Sequence, residues 1–104
     1  MVSTDDFNSD YPNQWCPGCG NFGILDAMKS ALAALNLSPN QILIVSGIGQ
    51  AAKAPHFLEC NCIHSLHGRA LPIATGAKIA NHDMTILVST GDGDCYAEGG
   101  NHFI

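Results

Sequence analysis

Two carboxylates set among glycines give the chain its clearest pattern for chemistry, Gly91-Asp92-Gly93-Asp94. They follow a short apolar run, residues 86–88, of the kind found in strands buried on both faces of a parallel sheet. Ligands of such sheets bind outside the carboxyl ends of the strands. The glycines allow close approach of the backbone, and a carboxylate there can hold Mg²⁺, which is usually shared with substrate phosphates. The pattern therefore predicts a magnesium–diphosphate site.

A second pattern of strand and glycines lies earlier in the chain. The apolar residues 41–46 precede Gly47-Ile48-Gly49-Gln50, which resembles the opening of a dinucleotide-binding fingerprint. The third glycine of that fingerprint is missing at the required spacing, so an ordinary turn between a strand and a helix is the alternative. The repeat of Gly-x-Gly after two strands favours a ligand-binding role.

A possible phosphate site lies at His67-Gly68-Arg69, which precedes a predicted helix over residues 70–80. A cation near the N-terminus of a helix opposes the helix dipole, unless an anion lies there too. A helix N-terminus and a guanidinium together suit a phosphate. An arginine on the surface without a ligand is the alternative interpretation.

The cysteines allow two kinds of site. The pair in Cys16-Pro17-Gly18-Cys19 has the spacing that holds a metal or cluster iron from a tight turn, and also the spacing used in thiol–disulfide exchange. Unligated cysteines in a turn are the third interpretation. Cys60, Cys62, His64 and His67 are further candidate ligands. Because the Cys60–Cys62 spacing is not that of a zinc ribbon, we expect these two cysteines to be buried and unligated.

The hydrophobic pattern predicts the elements that carry these residues. Leu25, Met28, Leu32 and Leu35 share one face of a helix that we expect Asn21 to cap and that ends near residue 36. Helix, strand, helix and strand then alternate, which predicts an α/β fold with a parallel sheet. We expect residues 1–14 to be a polar, extended or poorly ordered lead-in, and residues 54–68 to be irregular. The apolar C-terminus predicts that the chain is the first part of a longer protein.

Composition excludes some partners. Charged residues make up 12% of the chain, about half the usual share, so we expect part of the surface to be covered. The net charge of −5 argues against nucleic acid, and no apolar stretch approaches the roughly 18 residues of a membrane span. Five cysteines, without a recognisable signal peptide, predict a cytoplasmic location.

The motifs also occur in the order of one known family. They are Trp15-Cys16-Pro17-Gly18-Cys19-Gly20, Val45-Ser46-Gly47-Ile48-Gly49, Leu66-His67-Gly68-Arg69-Ala70, Ala74-Thr75-Gly76, Gly91-Asp92-Gly93-Asp94 and Gly99-Gly100-Asn101-His102-Phe103-Ile104. Together they resemble the N-terminal part of the β subunit of 2-oxoacid:ferredoxin oxidoreductases, which binds thiamine diphosphate. The resemblance implies a thiamine diphosphate-binding α/β fold, with a mainly parallel sheet flanked by helices. It covers residues 15–104, and the family's domain continues beyond residue 104.

The resemblance also implies roles for individual residues. Asp92 would ligate magnesium, and Gly91, Gly93 and Asp94 would lie along the diphosphate. The cofactor would further be lined by the turn Ser46-Gly47-Ile48-Gly49-Gln50 and by His67-Gly68-Arg69. The other magnesium ligands would follow residue 104. No catalytic residue is assigned here, because the carboxylate that activates the aminopyrimidine comes from a partner subunit in this family.

The implied activity is the CoA-dependent oxidative decarboxylation of a 2-oxoacid, with ferredoxin as electron acceptor and an α subunit as partner. A four-iron four-sulfur cluster would use Cys16 and Cys19, but Gln50 replaces the third cysteine of better-known members. Cys60 or Cys62 then replaces that ligand, or the cluster is held differently or absent. The alternative function is a small cysteine-based redox or zinc-binding module. The sequence lacks the strand before Trp15 that a redox module of this type needs. It also lacks the second Cys-x-x-Cys that a zinc ribbon needs.

Overall fold

A computed structural model describes all 104 residues, 1–104. The helices and strands, in chain order, are α1 (Gly20–Ala34), β1 (Ile42–Ser46), β2 (Asn61–His64), α2 (Ala70–Ala80), β3 (Thr85–Ser89) and α3 (Gly100–Phe103). Short 3₁₀ helices cover Thr4–Phe7, Pro39–Gln41 and Ala51–Phe57, and a wider π-type turn covers Gly93–Glu98. None of the helices has the length and hydropathy that crossing a membrane requires.

The three strands form one parallel sheet in the order β2-β1-β3. Ser46, the last residue of β1, pairs with His64 of β2 and with Ser89 of β3. Since these two partners are also the last residues of their strands, all three strands end level. Their carboxyl ends therefore share one edge of the sheet, and the predicted parallel α/β architecture is confirmed.

The central strand sends alternate side chains to opposite faces, as the geometry of a strand requires. Ile42 and Ile44 are fully buried on one face, in a nine-residue core with Leu25 and Leu32 of α1. Val45 is buried on the other face, against Ala70 and Ala74 of α2. The small residues of α2 let this helix lie close to the sheet, so helices flank both faces.

The region between β1 and α2 is more regular than predicted. Ala51–Phe57 is helical despite Pro55, and Asn61–His64 forms the edge strand β2. All four residues of β2 are exposed, so the strand lacks the continuous apolar run that marks a buried strand. The expectation of an irregular segment over residues 54–68 is wrong for these two parts.

The first residues are also more ordered than predicted. Thr4–Phe7 forms a helical turn, and Phe7 is fully buried in the core beside α1. One apolar side chain among polar ones gives no periodic signal, so the sequence did not reveal this anchor. The expected cap of α1 is likewise wrong, because Cys19 rather than Asn21 precedes the first helical residue.

Candidate functional site

Three segments meet at the carboxyl edge of the sheet, because the strands that lead into them end level. They are residues 47–50 after β1, residues 65–69 after β2 and residues 90–94 after β3. The carbonyl oxygen of Ser46 accepts hydrogen bonds from the backbone nitrogen of Ser65 at 2.7 Å and from its Oγ at 2.6 Å. The predicted ligand-binding patterns thus lie side by side.

The buried carboxylate of Asp94 joins these segments. It is 4% exposed. Its Oδ1 accepts from the backbone nitrogen of Gly68 at 2.7 Å and from Nδ1 of His67 at 2.8 Å. Its Oδ2 accepts from the backbone nitrogen of Ile48 at 3.0 Å and from Oγ1 of Thr90 at 2.5 Å. One side chain therefore binds donors from all three loops.

The environment of Asp94 keeps the group ionised. Burial acts to raise its pKa, because it removes water from the charged form. The hydrogen bonds from Thr90, Gly68, Ile48 and His67 outweigh burial and lower the pKa below its ordinary value. Asp94 thus supplies an anion beside the start of α2, the position where the sequence predicted a phosphate. Its carboxylate faces the protein, whereas the sequence placed Asp94 along a diphosphate.

Two glycines are required by close packing at this edge. A Cβ on Gly47 would overlap the carboxylate of Asp94. Gly68 has φ +75°, and a Cβ there would lie 2.6 Å from the carbonyl carbon of Glu98. The resemblance implied that Gly47 and Gly68 line the cofactor, but the atoms that a Cβ at either position would meet belong to the chain itself.

Asp92 differs from Asp94 although only one residue separates them. Its side chain is exposed, and it takes part in no ion pair. A carboxylate oxygen at the end of a parallel strand is a suitable ligand for Mg²⁺. Asp92 therefore fits the single magnesium ligand that the sequence assigned to this chain.

Among the remaining predicted site residues, one is buried and hydrogen-bonded within the sheet, and the others are exposed at its carboxyl edge. Ser46 is fully buried, and its Oγ lies 2.9 Å from Nδ1 of His64, so the hydroxyl links β1 to β2. Arg69 is exposed, and its Nη1 lies 3.4 Å from Nε2 of His102. Gly49 has φ +117°, a conformation that favours glycine, in the exposed turn 48–50.

The Cys-x-x-Cys turn lies next to the loop after β1. The Cys19 backbone nitrogen donates to the Cys16 carbonyl oxygen at 3.0 Å, which closes the turn. Nε1 of the adjacent Trp15 donates to the carbonyl oxygen of Gln50 at 2.9 Å. The residue before the cysteine pair therefore contacts Gln50, the position to which the resemblance assigned a third cysteine.

Cys60 and Cys62 do not join that pair. Cys60 precedes β2, whose first residue pairs with Leu43, so it lies at the amino end of the sheet. Burial, together with the nearby Cys62 and Glu59, raises the pKa of Cys60 to about 11. No group of three or more His, Cys, Asp or Glu side chains is arranged to hold a metal ion. Neither cysteine is therefore grouped with that pair as a third ligand. Cys60 is only half-buried and Cys62 is exposed, so the expectation that both are buried is wrong.

Sequence reasoning missed the donors that organise the site. Thr90 and Ser65 were not singled out, yet the Ser65 hydroxyl joins its loop to the end of β1, and the Thr90 hydroxyl fixes the Asp94 carboxylate within the loop after β3. A hydroxyl residue directly after a strand and before a glycine loop is the signal that could have identified Thr90. Their partners lie elsewhere in the chain or in the backbone, so only the folded arrangement defines their roles.

Comparison with known proteins gives a consistent result. Residues 43–104 match the family model described as thiamine pyrophosphate enzyme, C-terminal TPP binding domain. The chain is 48% identical over 98 residues to the β subunit of 2-oxoacid:ferredoxin oxidoreductase 1 of Aeropyrum pernix, covering 94% of this chain and 31% of that protein. It is 50% identical over 94 residues to the corresponding subunit of Saccharolobus solfataricus, covering 88% of this chain and 31% of that protein.

A solved structure is similar over nearly the whole chain. It is described as 2-oxoglutarate:ferredoxin oxidoreductase from Magnetococcus marinus with 2-oxoglutarate, coenzyme A and succinyl-CoA bound. The TM-score is 0.94 at 40% identity, covering 97% of this chain and 35% of that one. The resemblance predicted from the sequence is confirmed, and the chain spans about a third of the length of these relatives.

Proposed function

Because the chain belongs to the thiamine pyrophosphate enzyme family, we propose that it supplies one side of a thiamine diphosphate and magnesium site. The observation that carries this proposal is the shared carboxyl edge, where three loops meet and Asp92 remains exposed beside them. Ligands of parallel α/β sheets bind at this edge. The inward-facing Asp94 holds the loops in place.

Roles within the site follow from exposure and hydrogen bonding. Asp92 would ligate Mg²⁺, and the backbone of Gly91 and Gly93 would lie along the diphosphate. The turn formed by residues 47–50 and the segment His67-Gly68-Arg69 would line the rest of the cofactor. Bound thiamine diphosphate would supply the carbanion that attacks the keto carbon of the substrate. Further magnesium ligands would come from residues after 104.

The relatives suggest the reaction of the whole protein. They are β subunits of 2-oxoacid:ferredoxin oxidoreductases, and one solved relative was described with coenzyme A bound. We therefore assign the intact protein to the CoA-dependent oxidative decarboxylation of a 2-oxoacid, with ferredoxin as electron acceptor and an α subunit as partner. The cytoplasmic location predicted from the sequence remains a prediction.

The magnesium role of Asp92 can be tested on the complete complex of α and β subunits, purified without air. We expect the complex to contain thiamine diphosphate and Mg²⁺ and to reduce ferredoxin when a 2-oxoacid and CoA are supplied. Asp92→Asn should lower Mg²⁺ affinity by about tenfold or more, because it removes a charged oxygen ligand. Asp83→Asn is the matched control, since Asp83 is also exposed but lies before β3, at the opposite end of the sheet.

Two outcomes would contradict this assignment. A complex that contained zinc and no thiamine diphosphate would favour the alternative of a small zinc-binding module. Equal Mg²⁺ affinity in the Asp92→Asn and Asp83→Asn variants would refute the ligand role of Asp92 while leaving the cofactor assignment intact.

The proposed cluster has a separate test. If Cys16 and Cys19 hold an iron–sulfur cluster, Cys16→Ser should remove the brown colour of the complex purified without air. Cys60→Ser is the control and should keep the colour, because Cys60 lies at the other end of the sheet with its pKa raised to about 11. Unchanged colour in the Cys16→Ser variant would refute the ligand assignment.

A further inference from the structure

We infer that Asp94 is a positioning residue of the proposed cofactor site. Its carboxylate links the three loops by hydrogen bonds and orients His67, but it does not contact the diphosphate. The inference rests on the proposed function for the identity of the ligand. It differs from the expectation taken from the sequence, which placed Asp94 beside the diphosphate.

The hydrogen bonds of Asp94 within the chain occupy the acceptor positions of its carboxylate, so none is left for the cofactor or a metal ion. An ionised carboxylate has about four acceptor positions, two on each oxygen. Oδ1 accepts from Gly68 and His67, and Oδ2 accepts from Ile48 and Thr90. Both oxygens are therefore fully used within the chain. A buried negative charge would also repel a diphosphate rather than attract it.

The donors connect segments that are distant in sequence. Ile48 follows β1 and Gly68 precedes α2, whereas Asp94 itself lies with Thr90 in the loop after β3, so its carboxylate links all the loops proposed to hold the cofactor. Gly47 leaves the space that the carboxylate occupies, because a Cβ there would overlap it. The backbone of Asp94 is also packed tightly, since a Cβ on Gly99 would lie 2.7 Å from its carbonyl oxygen.

His67 is oriented by the same carboxylate. An ionised carboxylate can only accept a hydrogen bond, so Nδ1 of His67 must carry the hydrogen that it donates to Asp94. The other ring nitrogen, Nε2, takes no part in this hydrogen bond, and the side chain is 46% exposed. Asp94 thus fixes the position of the His67 ring, as a carboxylate partner does for a functional histidine.

The test uses the complete α–β complex, first without thiamine diphosphate and then with added cofactor and Mg²⁺. We expect Asp94→Asn to speed hydrogen exchange at the backbone amides of Ile48 and Gly68 by about tenfold or more in the complex without cofactor. The same variant should weaken the binding of thiamine diphosphate, measured by equilibrium dialysis, by about tenfold or more. Thr90→Val removes one of the four donors and should change both measurements in the same direction by less.

Two control variants separate positioning from other effects. Leu32→Ala destabilises the core beside α1, far from the loops, and should leave the dissociation constant of the folded complex for thiamine diphosphate unchanged. Asp92→Asn should weaken cofactor binding through Mg²⁺ but leave exchange at Ile48 and Gly68 as in the unmodified complex.

The outcomes distinguish this inference from the proposed function. Weaker cofactor binding in the Asp94→Asn variant with unchanged exchange at Ile48 and Gly68 would mean direct contact with the cofactor and would overturn the inference. Unchanged cofactor binding in Asp94→Asn, with binding intact in the unmodified complex, would overturn it as well. No binding of thiamine diphosphate by the unmodified complex would refute the proposed function instead.

Discussion

At the two ends of the sheet, the pKa of an ionisable side chain is shifted in opposite senses, toward the charged form at one end and toward the neutral form at the other. At the carboxyl end, Asp94 is buried and yet its pKa is lowered, because four donors surround its carboxylate. At the amino end, partial burial raises the pKa of Cys60 to about 11, and the neighbouring Cys62 and Glu59 add to the effect. Loss of water disfavours the charge at both ends, so the difference lies in the hydrogen-bond donors and neighbouring charges.

This contrast separates the end of the sheet that can organise a ligand site from the end that cannot. At the carboxyl end, two backbone N–H groups, a hydroxyl and a histidine ring nitrogen from three loops surround one anion. At the amino end, the raised pKa keeps the Cys60 thiol protonated to higher pH than an ordinary thiol, which makes it a weaker nucleophile.

The largest effect is expected for Gly47→Ala. Its Cβ would overlap the Asp94 carboxylate, so either the loop after β1 or the carboxylate must move. Displacement would break hydrogen bonds to a buried charge, and we expect the free energy of unfolding to fall by about 3 kcal/mol. Chemical denaturation of the full-length protein measures this change.

Gly76→Ala is the control for this substitution. Gly76 lies inside α2, and a Cβ there would meet no atom within 4 Å. Alanine should therefore stabilise the protein by about 0.5–1 kcal/mol through its higher helix propensity. If Gly47→Ala were as well tolerated as Gly76→Ala, the close packing of Asp94 against the loop would be refuted.

A smaller loss is expected for Ser46→Ala. The Oγ of Ser46 is fully buried and lies 2.9 Å from Nδ1 of His64. Nδ1 of His64 also lies 3.2 Å from the carbonyl oxygen of Ala52, so the ring keeps one partner when the hydroxyl is removed. We expect a loss of about 1 kcal/mol in the free energy of unfolding. A loss as large as that of Gly47→Ala would show that Asp94 is not the main connection at this end of the sheet.

Local sequence patterns predicted most of the framework but not the connections within it. The predicted bounds of α2, residues 70–80, match the structure, and the position of β3 followed from its short apolar run. The edge strand β2 was missed because all its residues are exposed, and the anchor Phe7 was missed because it stands alone. Both features depend on distant parts of the chain, since β2 forms by pairing with β1 and Phe7 is buried in the core beside α1.

The candidate site, too, was only partly predictable from local sequence patterns. The sequence singled out both carboxylates of Gly91-Asp92-Gly93-Asp94, but nothing in the local pattern separates an exposed carboxylate from a buried one. Asp94 is distinguished by donors at Ile48 and Gly68, which lie 46 and 26 residues away in the chain. That Asp94 is buried while Asp92 is exposed could therefore be seen only after the strands had been placed side by side.

The smallest effect on stability is expected at the amino end of the sheet. There the raised pKa of Cys60 is best measured as a slower reaction of its thiol. Because a thiolate reacts with iodoacetamide and a thiol does not, a pKa of about 11 should make Cys60 slow to react at pH 8. Its rate should rise about tenfold for each pH unit up to about pH 10, as the thiolate fraction grows. Mass spectrometry of the full-length protein can follow Cys60 and the exposed Cys62 in the same sample.

The raised pKa of Cys60 also determines whether the free energy of unfolding rises or falls with pH. Folded Cys60 binds its proton more tightly than the unfolded thiol, so the unfolded state loses its proton first as pH rises. The free energy of unfolding should fall between about pH 8.5 and 11, and Cys60→Ser should reduce that fall. If Cys60 instead reacted as fast as Cys62 at pH 8, the amino end would not keep this thiol protonated. The contrast between the two ends would then rest on Asp94 alone.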